Sequence, residues 1–204
     1  RSSDLEAVRT FSKPPQNPNE FDWGAWDKPD REMGDGQMVE WAVKFLAQPS
    51  KEPFFLAAGF HKPHLPWTAP KRFFDLYPAA GITPAAEPAL QDIPALALQT
   101  ELSGFEQPTS RALAIRGYYA CISFTDSLIG QLLDELDRLD LWKTTLVVLL
   151  GDNGFHLGDH GGLWAKLSAF ENSTRHRGGD DLAMAHDHET GAWRFGHFSV
   201  RIQD

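Results

Sequence analysis

Cysteine is almost missing from this chain: Cys121 is the single one among 204 residues. A lone thiol closes no internal disulfide and gives no metal-ligand spacing, so the redox compartment stays open. Long apolar runs are missing as well. None approaches the ~20 residues that cross a bilayer, and residues 1–20 contain no apolar signal-peptide core. Those residues are expected to form a poorly ordered leader. Basic charge is scarce, with 19 Lys and Arg against 28 Asp and Glu and a net charge of −9. Nucleic-acid binding, which is driven by cations releasing counterions from phosphates, is a poor expectation here. Residues 61–72 depart from the acidic background, holding Lys62, Lys71 and Arg72 and no acid. That local sign suits an anionic substrate, although ordinary charge scatter is the favoured explanation. An initial Met is also missing, as expected of a processed protein or a fragment.

What the chain does contain is organised around LVVLLGDNGFH at 146–156. The apolar residues read as a strand buried on both faces, ended by a Gly, an acid, an amide and a second Gly. Ligands in open α/β sheets bind beyond the carboxyl ends of the strands, which puts Asp152 and Asn153 where chemistry is usually housed. A second run of this kind, FFLAAGF at 54–60, stops at His61-Lys62-Pro63-His64-Leu65-Pro66.

Between these landmarks the pattern alternates. Residues 11–30 read as a loop broken by Pro14, Pro15 and Pro18, whose aromatics pack over a core edge or, as the sharper alternative, stack on a sugar ring. A helix is expected from Asp35, the N-cap, with Met38, Trp41, Ala42, Phe45 and Leu46 on its apolar stripe and Pro49 ending it. Pro70 opens a short helix over 71–77. Residues 78–108, rich in Pro and Ala, read as a long surface excursion. The longest helix is expected over about 110–140. Its stripe comprises Ile115, Tyr118, Tyr119, Ile122, Ile129, Leu132, Leu133, Leu136 and Leu139, and Asp126 falls on it, where a structural hydrogen bond or cap is the plain explanation. Strand 54–60, this helix and a strand at 145–150 would form a right-handed βαβ crossover with both polar ends on one sheet edge.

Asp152 and Asn153 offer hard oxygen donors that suit Ca²⁺ or Mg²⁺ more than zinc. His64 and Lys166, if they converge with them, supply donors to an anionic group. A metal with cationic donors is what hydrolysis of a charged ester requires. Each signal alone has a bland counterpart: Asp-Asn between glycines is commonly a turn, a His-rich loop is commonly solvated, and a lone loop Lys is commonly surface.

Taken together and in order, these residues resemble the type I sulfatases of the alkaline phosphatase-like superfamily, above all the branch holding iduronate-2-sulfatase and the bacterial glycan sulfatases. The resemblance is carried by PFFLAAGFHKPHLP at 53–66, GYYA at 117–120 with Ser123 to Asp126, GDNGFHLGDHG at 151–161, and LWAK at 163–166, with looser support from FDWG at 21–24 and DIP at 92–94. It covers about residues 21–175, a partial catalytic domain. It implies an α/β fold, a mixed and mostly parallel sheet flanked by helices, of which this chain would be the second half of the large domain. By resemblance Asp152 and Asn153 are metal ligands, for Ca²⁺ ahead of Mg²⁺. His64 and Lys166 contact the sulfate and the bridging oxygen, while His61 and His156, at less consistently used positions, either support these residues from behind or face substrate. The substrate is a sulfated small molecule or glycan, and the family implies a periplasmic, secreted or lysosomal setting.

Three departures accompany the resemblance. The family's nucleophile, a Cys or Ser in Cys/Ser-x-Pro-x-Arg matured to formylglycine, has no counterpart in these 204 residues and is expected upstream. Cys121 reads as a small buried thiol instead. The early acidic metal ligands, and the Lys and His that follow the nucleophile, are expected upstream too. After Arg175 the family pattern gives way to a divergent tail, 176–204, carrying His176, His186, His188 and His197. Of three readings, a metal-binding extension, a differently packed variant, or sequence foreign to the fold, the third is favoured. It predicts Trp193, Phe195 and Phe198 largely exposed. The expected function is sulfate ester hydrolysis by the whole protein, with this chain inactive alone. A phosphodiesterase or phosphonate monoester hydrolase of the same superfamily, or a non-catalytic module binding metal or anionic glycan, stand as alternatives.

Overall fold

Two short tracts rich in Trp and small residues, WGAW and WTAP, pair in a parallel sheet in a computed structural model of the chain. They are β2 (Trp23–Trp26) and β3 (Trp67–Pro70), in register from Trp23 with Trp67 to Trp26 with Pro70. β1 (Thr10–Phe11) pairs parallel to the other edge of β2. The structure describes residues 10–11, 22–84, 108–151, 154–158, 164, 183–187 and 192–196. They fall into two compact units, Arg1–Pro84 with Gly104–Asp140 and Ala85–Ser103 with Leu141–Asp204.

In the first unit, β2 lies inside the segment expected to be loop. Its four residues include a glycine and an alanine, so no β-branched run betrays it; its warrant is burial between neighbours. Parallel neighbours need a crossover connection, and α1 (Gly34–Leu46) lies between β2 and β3 in the chain. α1 fulfils the expected helix, but it buries Asp35, Gly36, Val39 and Ala42 and leaves Trp41 58% exposed. β3 is buried along its whole length, ends at Pro70 and passes directly into α2 (Lys71–Phe74), shorter than the expected 71–77.

The long helix is α3 (Pro108–Arg138), and it packs against α1, α2, β2 and β3. Its central buried face is made of small residues, Gly117, Ala120 and Cys121, followed by Phe124 and Leu128. Several large apolar residues expected on the stripe lie elsewhere, with Tyr119 and Ile122 each more than a third exposed, and Asp126 is exposed too. Small residues win that face because the helix approaches the sheet closely. A Cβ on Gly117 would stand 2.8 Å from Cβ of Trp23 and 3.2 Å from Cβ of Trp67. Aromatic edges close the contact: Trp67 meets Tyr118 edge-on at 5.4 Å, and Phe73 meets Phe124 at 5.4 Å. The buried Arg116 guanidinium donates to the Phe74 carbonyl from Nε and Nη2, satisfying the end of α2.

The second unit holds an antiparallel sheet, β4 (Val148–Leu150), β5 (Ala183–Asp187) and β6 (Ala192–Gly196), in that order. The strand expected at 145–150 is therefore shorter, and it is exposed rather than covered on both faces, Leu150 at 62%. Residues 54–60 form no strand among the described residues, and Phe55 is 91% exposed. The expected crossover through 54–60 is not formed, because a continuous apolar run gains strand stability only where other layers cover it. The tail, expected to be foreign to the fold, supplies β5, the central strand of this sheet, and β6; backbone pairing needs no apolar period. The expected exposure of Trp193, Phe195 and Phe198 lies outside the described side chains. Among the described residues no helix is long and apolar enough to cross a membrane.

The helix-to-sheet approach sets a stability prediction. Gly117→Ala forces a methyl against two tryptophan Cβ atoms and should cost about 1–3 kcal/mol in denaturant unfolding. Gly130→Ala, on the same helix with open space at its Cβ position, should be neutral or stabilising by up to about 1 kcal/mol. Equal effects at the two positions would contradict the close approach.

Candidate functional site

The segment His61 to Pro66 is a polar loop held from three sides. Asp35, expected as the N-cap of α1, lies instead in its first turn, Met33 occupying the cap without a side-chain hydrogen bond. The Asp35 carboxylate is buried and accepts the backbone N–H of His61 at 3.0 Å and of Lys62 at 2.9 Å. The first turn of a helix favours a carboxylate, so burial there is offset by the helix dipole as well as by two charge-assisted hydrogen bonds. From α3, Thr125 Oγ1 donates to the Lys62 carbonyl at 3.2 Å. From β3, the Trp67 indole N–H donates to the Pro63 carbonyl at 2.9 Å. The loop closes on itself where the His64 N–H reaches the His61 carbonyl at 2.9 Å, and the Lys62-Pro63 and Leu65-Pro66 peptides are cis.

Inside the loop the Lys62 ammonium is buried. It donates to the His64 carbonyl at 3.2 Å and to the Pro66 carbonyl. Burial holds the Lys62 pKa below the usual lysine value. The His64 ring places Nδ1 2.9 Å from the Leu65 carbonyl. A carbonyl only accepts, so Nδ1 carries a proton and Nε2 is the nitrogen left for other chemistry. The His61 ring lies 4.8 Å from that of His64. Partial burial, then the charges of Lys62 and His64, hold the His61 pKa below the usual imidazole value. His61 is thereby held toward its neutral form. The other cations of this stretch are taken: Lys71 pairs with Asp75 at 2.6 Å, and Arg72 makes a two-pronged pair with Asp30. Charge scatter, the plainer reading of 61–72, describes these two residues.

The loop thus brings His61 and His64 together. His156 lies in the second unit, buried beside a turn where Gly158 has φ +94°. A Cβ on Gly158 would meet the Trp164 indole at 3.2 Å, so that position needs glycine both for its left-handed backbone and for the ring lying on it. Asp152, Asn153 and Lys166 lie outside the described residues, and among the described residues no three His, Cys, Asp or Glu side chains gather into a metal site. Sequence reasoning missed Asp35 and Lys62 as parts of the site. Their signals were slight: an acid where α1 turns inward, and a lysine between apolar residues and prolines.

The family model for sulfatases matches residues 4–191, and the chain belongs to the sulfatase family. A sulfatase of Formosa agariphila is 37% identical over 76% of the chain, and the iduronate 2-sulfatase of Homo sapiens is 35% identical over 72%. A choline-sulfatase of Rhizobium meliloti is 34% identical over 62%. The chain spans about a third of the length of these curated relatives, 32%, 30% and 26% respectively.

Two measurements probe the loop and its floor. Asp35→Ala strands two backbone N–H groups and should cost about 1–3 kcal/mol while speeding amide exchange at His61 and Lys62. Glu40→Ala, on the outer face of the same helix, should leave both almost unchanged. The Cys121 thiol under the loop donates to the Thr68 carbonyl at 3.5 Å, and burial pushes its pKa from 9.0 to about 12. The unfolded thiol ionises first, so stability should fall as pH rises from about 9 toward about 12. Cys121→Ala should flatten that fall, read from denaturant midpoints across the interval.

Proposed function

We propose that this chain is part of a sulfuric ester hydrolase in which His64 contacts the sulfate group or the bridging oxygen of the ester. The observation that carries the reading is the pinned His61–Pro66 loop, which fixes the His64 tautomer with Nε2 as its working nitrogen. When the ring holds its second proton, Nε2–H donates to an ester oxygen and passes that proton to the departing alcohol oxygen. Lys166 adds a cationic donor on the same ester. His61, kept neutral, and His156 face the organic part of the substrate, a sulfated glycan or small molecule.

Asp152 and Asn153 are proposed as ligands of Ca²⁺, ahead of Mg²⁺. One carboxylate and one amide oxygen are hard donors that fit such an ion, and they supply two of the roughly 6–8 oxygens Ca²⁺ takes. Bound there, the ion would polarise a sulfate oxygen. A nucleophile matured to formylglycine belongs to the same proposal, carried outside these 204 residues. The chain alone is then inactive.

The test uses the whole protein that carries this chain, assayed on a chromogenic aryl sulfate beside the matching aryl phosphodiester. Faster turnover of the sulfate is expected, and His64→Ala should lower kcat/KM by about 10²–10³-fold. Preference for the phosphodiester would move the assignment to the phosphoryl-transferring members of the superfamily. Turnover of the aryl sulfate by the 204-residue chain, abolished in Asp152→Ala, would overturn the proposal that the chain is inactive alone.

A further inference from the structure

Lys62 stands out as an ammonium that is 8% exposed and has no carboxylate ion-pair partner among the described residues. The nearby Asp35 carboxylate is already occupied by two backbone N–H groups. Burying an ammonium is costly unless its protons are used, and here they go to two alternate carbonyls, those of His64 and Pro66. The carbonyl between them, that of Leu65, is the one that meets the His64 Nδ1. We infer that Lys62 is a positioning residue: its ammonium fixes the carbonyls on either side of Leu65, so that the Leu65 carbonyl holds Nδ1–H of His64 and Nε2 alone is presented to an anionic ester.

The arrangement is stiff because Lys62 is itself held. Its N–H is taken by Asp35, its carbonyl by Thr125, and its side chain turns back into the loop it belongs to. A methionine of similar length would fill the same space without donating. The His64 carbonyl would then lose its side-chain donor, the Pro66 carbonyl would keep only the Thr68 N–H, Leu65 between them would be held less firmly, and the imidazole would revert toward the mixture of tautomers that an unconstrained ring adopts.

The role of Lys62 in chemistry rests on the proposed contact between His64 and the ester, so the experiment separates the two. Long-range ¹H–¹⁵N spectra of the imidazoles, recorded with the rings neutral, should show His64 of the 204-residue chain as the Nδ1–H tautomer and Lys62→Met as a mixture. In the unmodified chain the Lys62 ammonium should give a signal protected from water exchange, unlike those of the exposed Lys44 and Lys71. This second measurement needs no variant, so it stands even if Lys62→Met fails to fold. Rapid exchange at Lys62, or an unchanged His64 tautomer in Lys62→Met, would overturn the inference. In the whole protein, Lys62→Met should lower kcat by about 10²-fold with little change in KM. Loss of the tautomer with unchanged kcat would leave the clamp standing and overturn the role given to His64.

Discussion

A buried carboxylate anchors the His61–Pro66 loop to the helix beneath it. Asp35 gives one oxygen to each of two consecutive backbone N–H groups of the loop, that of His61 part-buried and that of Lys62 buried. Helix, loop and strand then become one structure, because the loop runs directly into β3 and its first strand residue, Trp67, is fully buried. The Trp67 indole returns a hydrogen bond to Pro63. The same side chain therefore fills the core and braces the loop, and strain at either place is felt at the other.

The second constraint is how near α3 can come to the sheet. Glycine at 117 and small residues at 120 and 121 allow a contact that larger side chains would prevent. That nearness puts Thr125, one turn further on, within reach of the Lys62 carbonyl. Packing at the middle of the helix and polar support at the loop are thus consequences of one choice of residue size.

This is also why the sequence was legible in some places and opaque in others. Helices α1 and α3 were evident from their period, with Pro49 beyond the first, yet their buried faces were misplaced: the eye follows Tyr119 and Ile122, while the contact belongs to Gly117 and Cys121. Period reports where an apolar face could be; volume decides where two elements can meet. Strand β2 was invisible because four residues bearing a glycine carry no strand pattern of their own. The runs at 54–60 and 145–150 misled in the opposite sense, being strongly apolar but largely exposed here. For the site, His64 was legible through its motif, and its pairing with His61 follows from the loop. Asp35 and Lys62 were not, since an acid at a helix start and a lysine in a basic stretch each have ordinary explanations that only hydrogen-bond geometry removes.

Charge is managed by the same geometry. A chain of net charge −9 carries no attractive long-range field for anions. Within 61–72, two of the three cations are neutralised by Asp75 and Asp30, and the third is buried with its protons on backbone carbonyls. His61 is held toward its neutral form by partial burial and by the charges beside it. What remains at the loop is one oriented imidazole nitrogen, on His64.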